Sequence, residues 1–276
     1  MSRRIDRQDI VEVAARLKVE PAALAAVLAV ECGWPRRSGF DDEGHVRILW
    51  ERHVCWRKAT KAERVKLPRT VCNPRPGGYP KGRNATERNA RNWARLHRAR
   101  EVMGDRAYLC ASWGLPQIMG FNHQAAGYRS VVDMVTDFAR GERQQLEALG
   151  RFLSARKTLI RALRRKHWGR FARGYNGPAY KRNRYDEKLR RAYGRFAREK
   201  WPTPGPSKRS PILPKKPSAP PQSPPAHPEL PQRPARQPAR KPRGGLFAAL
   251  VALLAALGGM VAAAWEKITA FLGGLF

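Results

Sequence analysis

Glu31 closes an apolar segment, PAALAAVLAVE, in which Leu24 and Val27 lie seven and four residues before it. On a helix these three positions share one face, so the carboxyl group lies on the side that the core side chains occupy. Partial removal from water disfavours the charged form of a carboxyl group and raises its pKa, which keeps a proton available near neutral pH. Glu31 is therefore predicted to be a general acid that protonates a glycosidic oxygen.

Cleavage of a glycosidic bond also needs a group that handles the developing positive charge, either a second carboxylate or a water held by polar side chains. Glu51, in the segment WERH, and the acidic run at 41–43 are the acids near Glu31 that follow it into the expected β region. We predict Glu51 for this role because the charge of the adjacent Arg52 would keep it ionised. A structural ion pair involving Glu51 is the alternative.

Two later segments complete the pattern that Glu31 begins, SWGLPQIMG at 112–120 and RGYNGPAY at 173–180. The chain from about Asp6 to Tyr193 resembles the N-acetylmuramidase family found in bacteriophage endolysins. The three segments are similar, in the same order, to those around the cleaved sugar bond in goose-type lysozymes and soluble lytic transglycosylases. The resemblance implies a lysozyme-like fold and cleavage of the β-1,4 bond between N-acetylmuramic acid and N-acetylglucosamine in peptidoglycan glycan strands.

The resemblance also implies that the turn at 112–120 binds substrate. Ser112, Gly114 and Gln117 match the Gly-Leu-Met-Gln-like turn of the related enzymes, where small residues let the backbone approach the sugar and the glutamine hydrogen-bonds. Pro116 departs from this pattern, since the transglycosylases have methionine at that place.

Tyr175 and Asn176 match the Ala-Tyr-Asn-like segment, which implies that they position Glu31 and the acetamido group of the substrate; for Tyr175, a place in the core is the alternative. Three further aromatic residues are candidates either for stacking on sugar rings or for the core: Trp34, Trp113 and Tyr128.

The four cysteines, Cys32, Cys55, Cys72 and Cys110, match neither a CxxC pair nor a zinc pattern. Free buried thiols are one alternative, and a Cys32–Cys110 disulfide is the other. The disulfide rests on the resemblance, because the two segments meet in the lysozyme-like arrangement, and it would form in the oxidising periplasm. The histidines, His53 among them, lack metal-binding spacing, so we expect neither a metal nor a cofactor.

The charge of the chain predicts a polyanionic partner. The formal net charge is +33, and residues 1–201 alone carry 45 basic and 20 acidic side chains. No nucleic-acid-binding signature accompanies this charge, so nucleic acid is not expected. Attraction to the anionic bacterial envelope, including membrane or outer-membrane lipid, is favoured. A solvated surface from an arginine-rich proteome is the alternative.

Three regions are predicted from the composition. Residues 1–201 are expected to form a mainly α catalytic domain with a small β region. Residues 202–243, where 15 of 42 residues are proline, are typical of an extended linker. Residues 244–276 are hydrophobic, and the first 22 of them carry no charge. As a helix those 22 would reach about 33 Å, which is enough to cross a hydrocarbon core of roughly 30 Å.

The hydrophobic segment is predicted to span a membrane, with a position flat on the surface as the alternative. Ala255, Gly259 and Ala263 repeat small residues at helical spacing, which would permit weak helix-mediated self-association. The start of the chain, MSRRIDRQDI, has no apolar stretch after its basic residues, so no signal peptide is expected. We therefore expect the protein in the host cytoplasm or inner membrane before lysis, and in the periplasm when it acts.

Apolar periodicity and helix start and stop residues predict the helices of the catalytic domain. They are expected around Ile10 to Leu17, Pro21 to Glu31, Asn84 to Met103, Gln117 to Ala126, Val131 to Phe138, Glu142 to Ser154, Lys157 to Arg165, Trp168 to Tyr175 and Asn183 to Arg198. Arg36 to Trp50 is the only β region expected, and Cys72 to Gly82 is typical of a surface loop.

Three other functions are compatible with the sequence. A lytic transglycosylase would use the same acid and leave a 1,6-anhydro ring in its product. A cationic protein that disrupts membranes would act without catalysis. An interbacterial toxin would use the same hydrolysis in another setting.

Overall fold

The computed structural model describes residues 4–205, and within them the expected mainly α architecture with a small β region is confirmed. The helices are α1 (Arg7–Leu17), α2 (Pro21–Glu31), α3 (Arg52–Lys58), α4 (Lys61–Lys66), α5 (Ala85–Met103), α6 (Val131–Arg140), α7 (Glu142–Ser154), α8 (Lys157–Arg164), α9 (Trp168–Asn176) and α10 (Tyr185–Phe196). The strands are β1 (Ile48–Trp50), β2 (Ala111–Trp113) and β3 (Ile118–Met119).

Most of the predicted linker and all of the predicted membrane segment lie outside the described residues. Within 4–205, no helix is both long enough and apolar enough to cross a membrane.

Helix α2 is the buried centre of the domain. Pro21 suits its first position because proline lacks the backbone N–H that would have no partner there. Residues 22–28 are all buried, so the helix is apolar on every side, and it packs against α1, α8 and α10. The last residue of this central helix is Glu31, and the surrounding helices therefore fix the position of its backbone.

The three strands form one antiparallel sheet in the order β1, β2, β3. Leu49 pairs with Ser112, and Trp113 pairs with Ile118. The tight turn between β2 and β3 needs positive φ angles, which Gly114 and Gln117 adopt at +64° and +50°. The sheet thus holds the turn that follows Trp113 beside the start of β1, where Ile48 pairs with Trp113.

The prediction that Arg36 to Trp50 is the only β region was wrong, as was the predicted helix from Gln117 to Ala126. Two of the three strands come from residues 111–119, and a short 3-10 helix follows at Gly120–Asn122. Strands of two or three residues are too short for an alternating apolar pattern to stand out. The short helices α3 and α4 were missed, while the other predicted helices are present with ends shifted by at most three residues.

Two asparagines of α5 bind the outer edge of β1. The backbone N–H of Ile48 donates to Asn89 Oδ1 at 2.9 Å, and that of Trp50 donates to Asn92 Oδ1 at 3.1 Å. Both asparagines are buried, and their side chains satisfy donors that would otherwise lack a partner. Helix α5 therefore fixes the strand that leads directly into Glu51.

Candidate active site

Glu31 is partly buried at the end of α2, and burial raises the pKa of its carboxyl group to about 7. Asn176, at the end of α9, hydrogen-bonds to the carboxyl group and shifts its pKa downward by a smaller amount. A carboxyl group with this pKa is about half protonated at neutral pH, so it can donate a proton there. The environment of Glu31 thus suits a general acid.

The last turn of α9 joins Glu31 to the turn between β2 and β3. The Tyr175 hydroxyl donates a hydrogen bond to the carbonyl of Pro116 at 2.9 Å. Its ring stacks on Phe171 with a centroid separation of 5.4 Å. Burial, and next the charge of Glu31, raise the pKa of Tyr175 well above its usual value. The three sequence segments that were singled out together therefore meet in the fold.

The polar side chains of the turn hydrogen-bond to one another. Ser112 Oγ donates to Gln117 Oε1 at 2.8 Å, and Gln117 Nε2 donates to the carbonyl of Gly114 at 2.8 Å. A Cβ on Gly114 would lie 2.6 Å from the side-chain oxygen of Gln145, so packing already explains the glycine. The contacts of these three residues hold the turn in shape, and their predicted roles in substrate binding stay predictions.

Glu51 lies just beyond β1 with its side chain 13% exposed. The Tyr79 hydroxyl donates a hydrogen bond to Glu51 Oε1 at 3.0 Å, and His53 Nδ1 lies 3.2 Å from Glu51 Oε2. Burial raises the pKa of Glu51, and the hydrogen bond from Tyr79 opposes this shift. Burial also lowers the pKa of His53, which favours its neutral form. Glu51 is therefore held mainly by a hydrogen bond to a neutral group.

The predicted reason for the ionisation of Glu51 was wrong. The guanidinium group of Arg52 donates to the carbonyls of Gly77 and Arg69, at 2.7 and 3.3 Å, and forms no ion pair with Glu51. Adjacent residues at the start of a helix point in different directions, and the loop at 72–82 offers Arg52 backbone acceptors.

Two tyrosines connect the surroundings of Glu31 and Glu51. Tyr185, the first residue of α10, has its pKa raised by burial and then by the charge of Glu31. Burial raises the pKa of Tyr79 to about 12, with smaller contributions from Glu51 and from Tyr185. Sequence reasoning missed both residues. The signal for Tyr79 was a lone aromatic residue in a polar Pro/Gly loop, where it is 48% exposed.

The candidate stacking residues Trp34, Trp113 and Tyr128 belong to the core, so the stacking alternative is wrong for them. They are at most 5% exposed. Trp113 packs edge-on against Trp93 and Tyr108, and Trp34 packs against Phe196. Large aromatic rings bury more area than any other side chain, which explains their place in the interior.

All four cysteines are free and buried, and the Cys32–Cys110 pairing is wrong. Cys55 interacts with both Cys110 and Cys72, whereas Cys32 Sγ donates to the carbonyl of Leu28 at 3.1 Å. The reason is that α3, which carries Cys55, packs against the segment that ends at Cys110. Among residues 4–205, no group of histidine, cysteine or acidic side chains could hold a metal ion.

Comparisons with known proteins give a matching family and a similar solved structure. A family model described as N-acetylmuramidase matches residues 20–197, a range that includes every candidate site residue. A solved structure, that of the Burkholderia AP3 phage endolysin, is similar with a TM-score of 0.63 and 39% sequence identity. The match covers 72% of this chain and 74% of that chain. No curated protein matches the chain.

Proposed function

The chain belongs to the N-acetylmuramidase family, whose members are glycoside hydrolases acting on peptidoglycan, and on this premise we propose that Glu31 is its general acid. It protonates the oxygen of the β-1,4 bond between N-acetylmuramic acid and N-acetylglucosamine as that bond breaks. The observation that carries the proposal is the position of Glu31 at the end of the buried helix α2, where burial raises its pKa to about 7 and Asn176 hydrogen-bonds to the carboxyl group.

Glu51 is the second catalytic group in this proposal. As a carboxylate it stabilises the developing positive charge on the sugar or accepts a proton from the attacking water. The hydrogen bond from Tyr79 favours the ionised form, and the neutral His53 leaves the negative charge of Glu51 uncompensated by an ion pair. An uncompensated carboxylate is better suited to these two roles than one already paired with arginine.

The setting is the lysis of a bacterial host by a phage, which the likeness to the AP3 phage endolysin supports. The protein waits in the host cytoplasm or at the inner membrane and reaches peptidoglycan once the membrane has been breached. The hydrophobic segment that would hold it at the membrane lies outside residues 4–205.

The test is mass analysis of peptidoglycan sacculi digested by the purified full chain. Hydrolysis gives reducing N-acetylmuramic acid ends, whereas 1,6-anhydro ends would make the protein a lytic transglycosylase. Glu31→Gln should lower the rate at least 100-fold, since acid catalysis contributes about 10² to 10⁴. The control is Glu20→Gln, at the other end of α2, which should keep the rate. Near-normal turnover by folded Glu31→Gln would remove Glu31 from its role.

The variant Glu51→Gln tests whether Glu51 has a catalytic or a structural role, through its activity on sacculi and its melting temperature. A catalytic role predicts lost activity with an unchanged melting temperature. A melting temperature that falls while activity per folded molecule holds would assign Glu51 to structure. Killing of cells without any cleavage of sacculi would instead favour the non-catalytic, membrane-disrupting alternative.

A further inference from the structure

The segment around Tyr175 and Asn176 is strongly and uniformly basic. Between Glu147 and Asp186 the chain contains twelve lysines and arginines and no acidic residue. Such a run cannot neutralise its own charge, so it creates a positive potential that attracts carboxylates from elsewhere in the fold or from a ligand.

Some of these charges have partners within the domain. Arg164 donates to the carbonyl of Leu17, and Lys166 pairs with Glu20. Four exposed arginines of α8, α9 and the turn between them differ, because within residues 4–205 their side chains form neither an ion pair nor a hydrogen bond: Arg161, Arg165, Arg170 and Arg173.

These four arginines line one groove between α8 and α9, with a volume of about 490 Å³. The floor is apolar and formed by Leu159 and Ala162, and Gly174 contributes no side chain to the wall. A groove with unpaired guanidinium groups along its rim and apolar residues beneath suits an anionic ligand that also carries apolar groups.

One groove residue, Arg173, lies on the helix that ends at Asn176. Arg173 and Asn176 are three residues apart on α9, so they share one face of that helix. Asn176 hydrogen-bonds to Glu31. The groove and the hydrogen bond to Glu31 thus involve the same helix, α9.

We propose that this four-arginine groove binds the acidic peptides attached to the glycan strand, with the peptide carboxylates on the guanidinium groups and the alanine methyl groups on the apolar floor. The inference rests on the proposed function, because it takes peptidoglycan as the substrate. Carboxylates next to N-acetylmuramic acid match the charge of the groove, and guanidinium forks bind such groups in bidentate fashion. The groove would then favour peptide-bearing over bare glycan.

The experiment compares two substrates and a double variant, Arg165→Gln with Arg170→Gln. The substrates are sacculi and glycan strands from which an amidase has removed the peptides. The ratio of kcat/KM on the peptide-bearing to that on the bare substrate should fall at least fivefold in the variant. The matched control is Arg129→Gln with Arg198→Gln, which removes two exposed arginines outside the groove and should leave the ratio unchanged.

A binding measurement keeps this proposal separate from the catalytic one. Calorimetry with the free acidic stem peptide should show binding by the full chain that the double variant weakens at least fivefold, whether or not the protein cleaves glycan. The same peptide with its carboxyl groups amidated should bind weakly to both. Equal peptide binding by wild type and variant would overturn the proposal. The proposal would also be overturned if the double variant bound the peptide normally and lost binding only to vesicles that contain phosphatidylglycerol. The groove would then be a site for anionic lipid.

Discussion

The hydroxyl of Tyr79 donates a hydrogen bond to Glu51 Oε1 at 3.0 Å, from a loop 28 residues further along the chain. The bond favours the ionised form of Glu51, while burial raises the pKa of this carboxyl group. The two effects oppose each other, so the protonation of the second carboxyl group depends on a residue in a surface loop.

Tyr79→Phe should raise the pKa of Glu51, because it removes the stabilising donor and leaves the burial. The acid limb of the kcat/KM profile on sacculi should therefore move to higher pH. The control is Tyr193→Phe, which removes a hydroxyl bound to Glu20 on the surface. An acid limb that stays in place would mean that Glu51 does not act as a carboxylate.

Glu31→Gln should make the fold more stable at alkaline pH. Because folding raises the pKa of Glu31 from 4.5 to about 7, its contribution to stability is fully present below pH 4.5 and is lost as the pH rises through 7. Glutamine stays neutral, so the variant should match the wild type at pH 4.5 and exceed its unfolding free energy at pH 8 by up to about 3 kcal/mol. Denaturant titrations at the two pH values measure this.

The control is Glu20, whose pKa is shifted by folding in the opposite direction to that of Glu31. Interactions with Lys166 and Tyr193 lower the pKa of Glu20, so its contribution is present above its unfolded pKa and is lost as the pH falls. Glu20→Gln should therefore give no gain at pH 8. Equal stability of Glu31→Gln and wild type at pH 8 would contradict a raised pKa for Glu31.

Asn176→Ala should move the basic limb of the activity profile to higher pH. The hydrogen bond from Asn176 lowers the pKa of Glu31, so its loss should raise that pKa further above 7. The maximal rate should fall as well, because the carboxyl group is held less firmly. In contrast, Tyr175→Phe removes the bond to the carbonyl of Pro116 and should lower stability by about 1 kcal/mol with little change in the limb. Profiles that coincide for both variants would refute this distinction.

Removal of residues 202–276 should separate catalysis from membrane binding. Trp201 donates a hydrogen bond to the carbonyl of Phe196, so a chain ending at Trp201 keeps this contact. The full chain should sediment with membranes, while the shortened chain should be soluble and still cleave sacculi. Potency against intact Gram-negative cells should fall, and added salt should weaken the full chain more on cells than on sacculi. A full chain found in the soluble fraction, with equal killing by both forms, would contradict a membrane role for the tail.

The sequence predicted the parts of this fold that local signals determine. The bounds of α2 follow from Pro21 and from the Gly33 that comes after its end, and α7 matches its predicted limits. The convergence of Glu31 with the later segments came from a family resemblance, which carries long-range information that periodicity lacks. Tyr79 could not be placed, because its partner lies across the fold and no local pattern specifies that contact.

The same limit applies to directions of side chains. Arg52 is adjacent to Glu51 in the chain, yet its guanidinium group binds the carbonyl of Gly77. A Cys32–Cys110 disulfide was one of the two alternatives for the cysteines, yet Cys110 interacts with Cys55. The position of a residue in the sequence shows that it lies near a site. Which side chains form contacts there depends on how α3 and the loop at 72–82 pack against the rest of the domain.

The binding of Asn89 and Asn92 to β1 has a consequence for association between molecules. An exposed strand edge offers unpaired N–H groups on which a strand of another chain can add, and this is a common route to aggregation. Here the N–H groups of Ile48 and Trp50 are occupied by asparagine side chains that lie on a helix of 19 residues. The outer side of β1 is thereby closed to intermolecular strand pairing, and it stays closed as long as α5 remains docked.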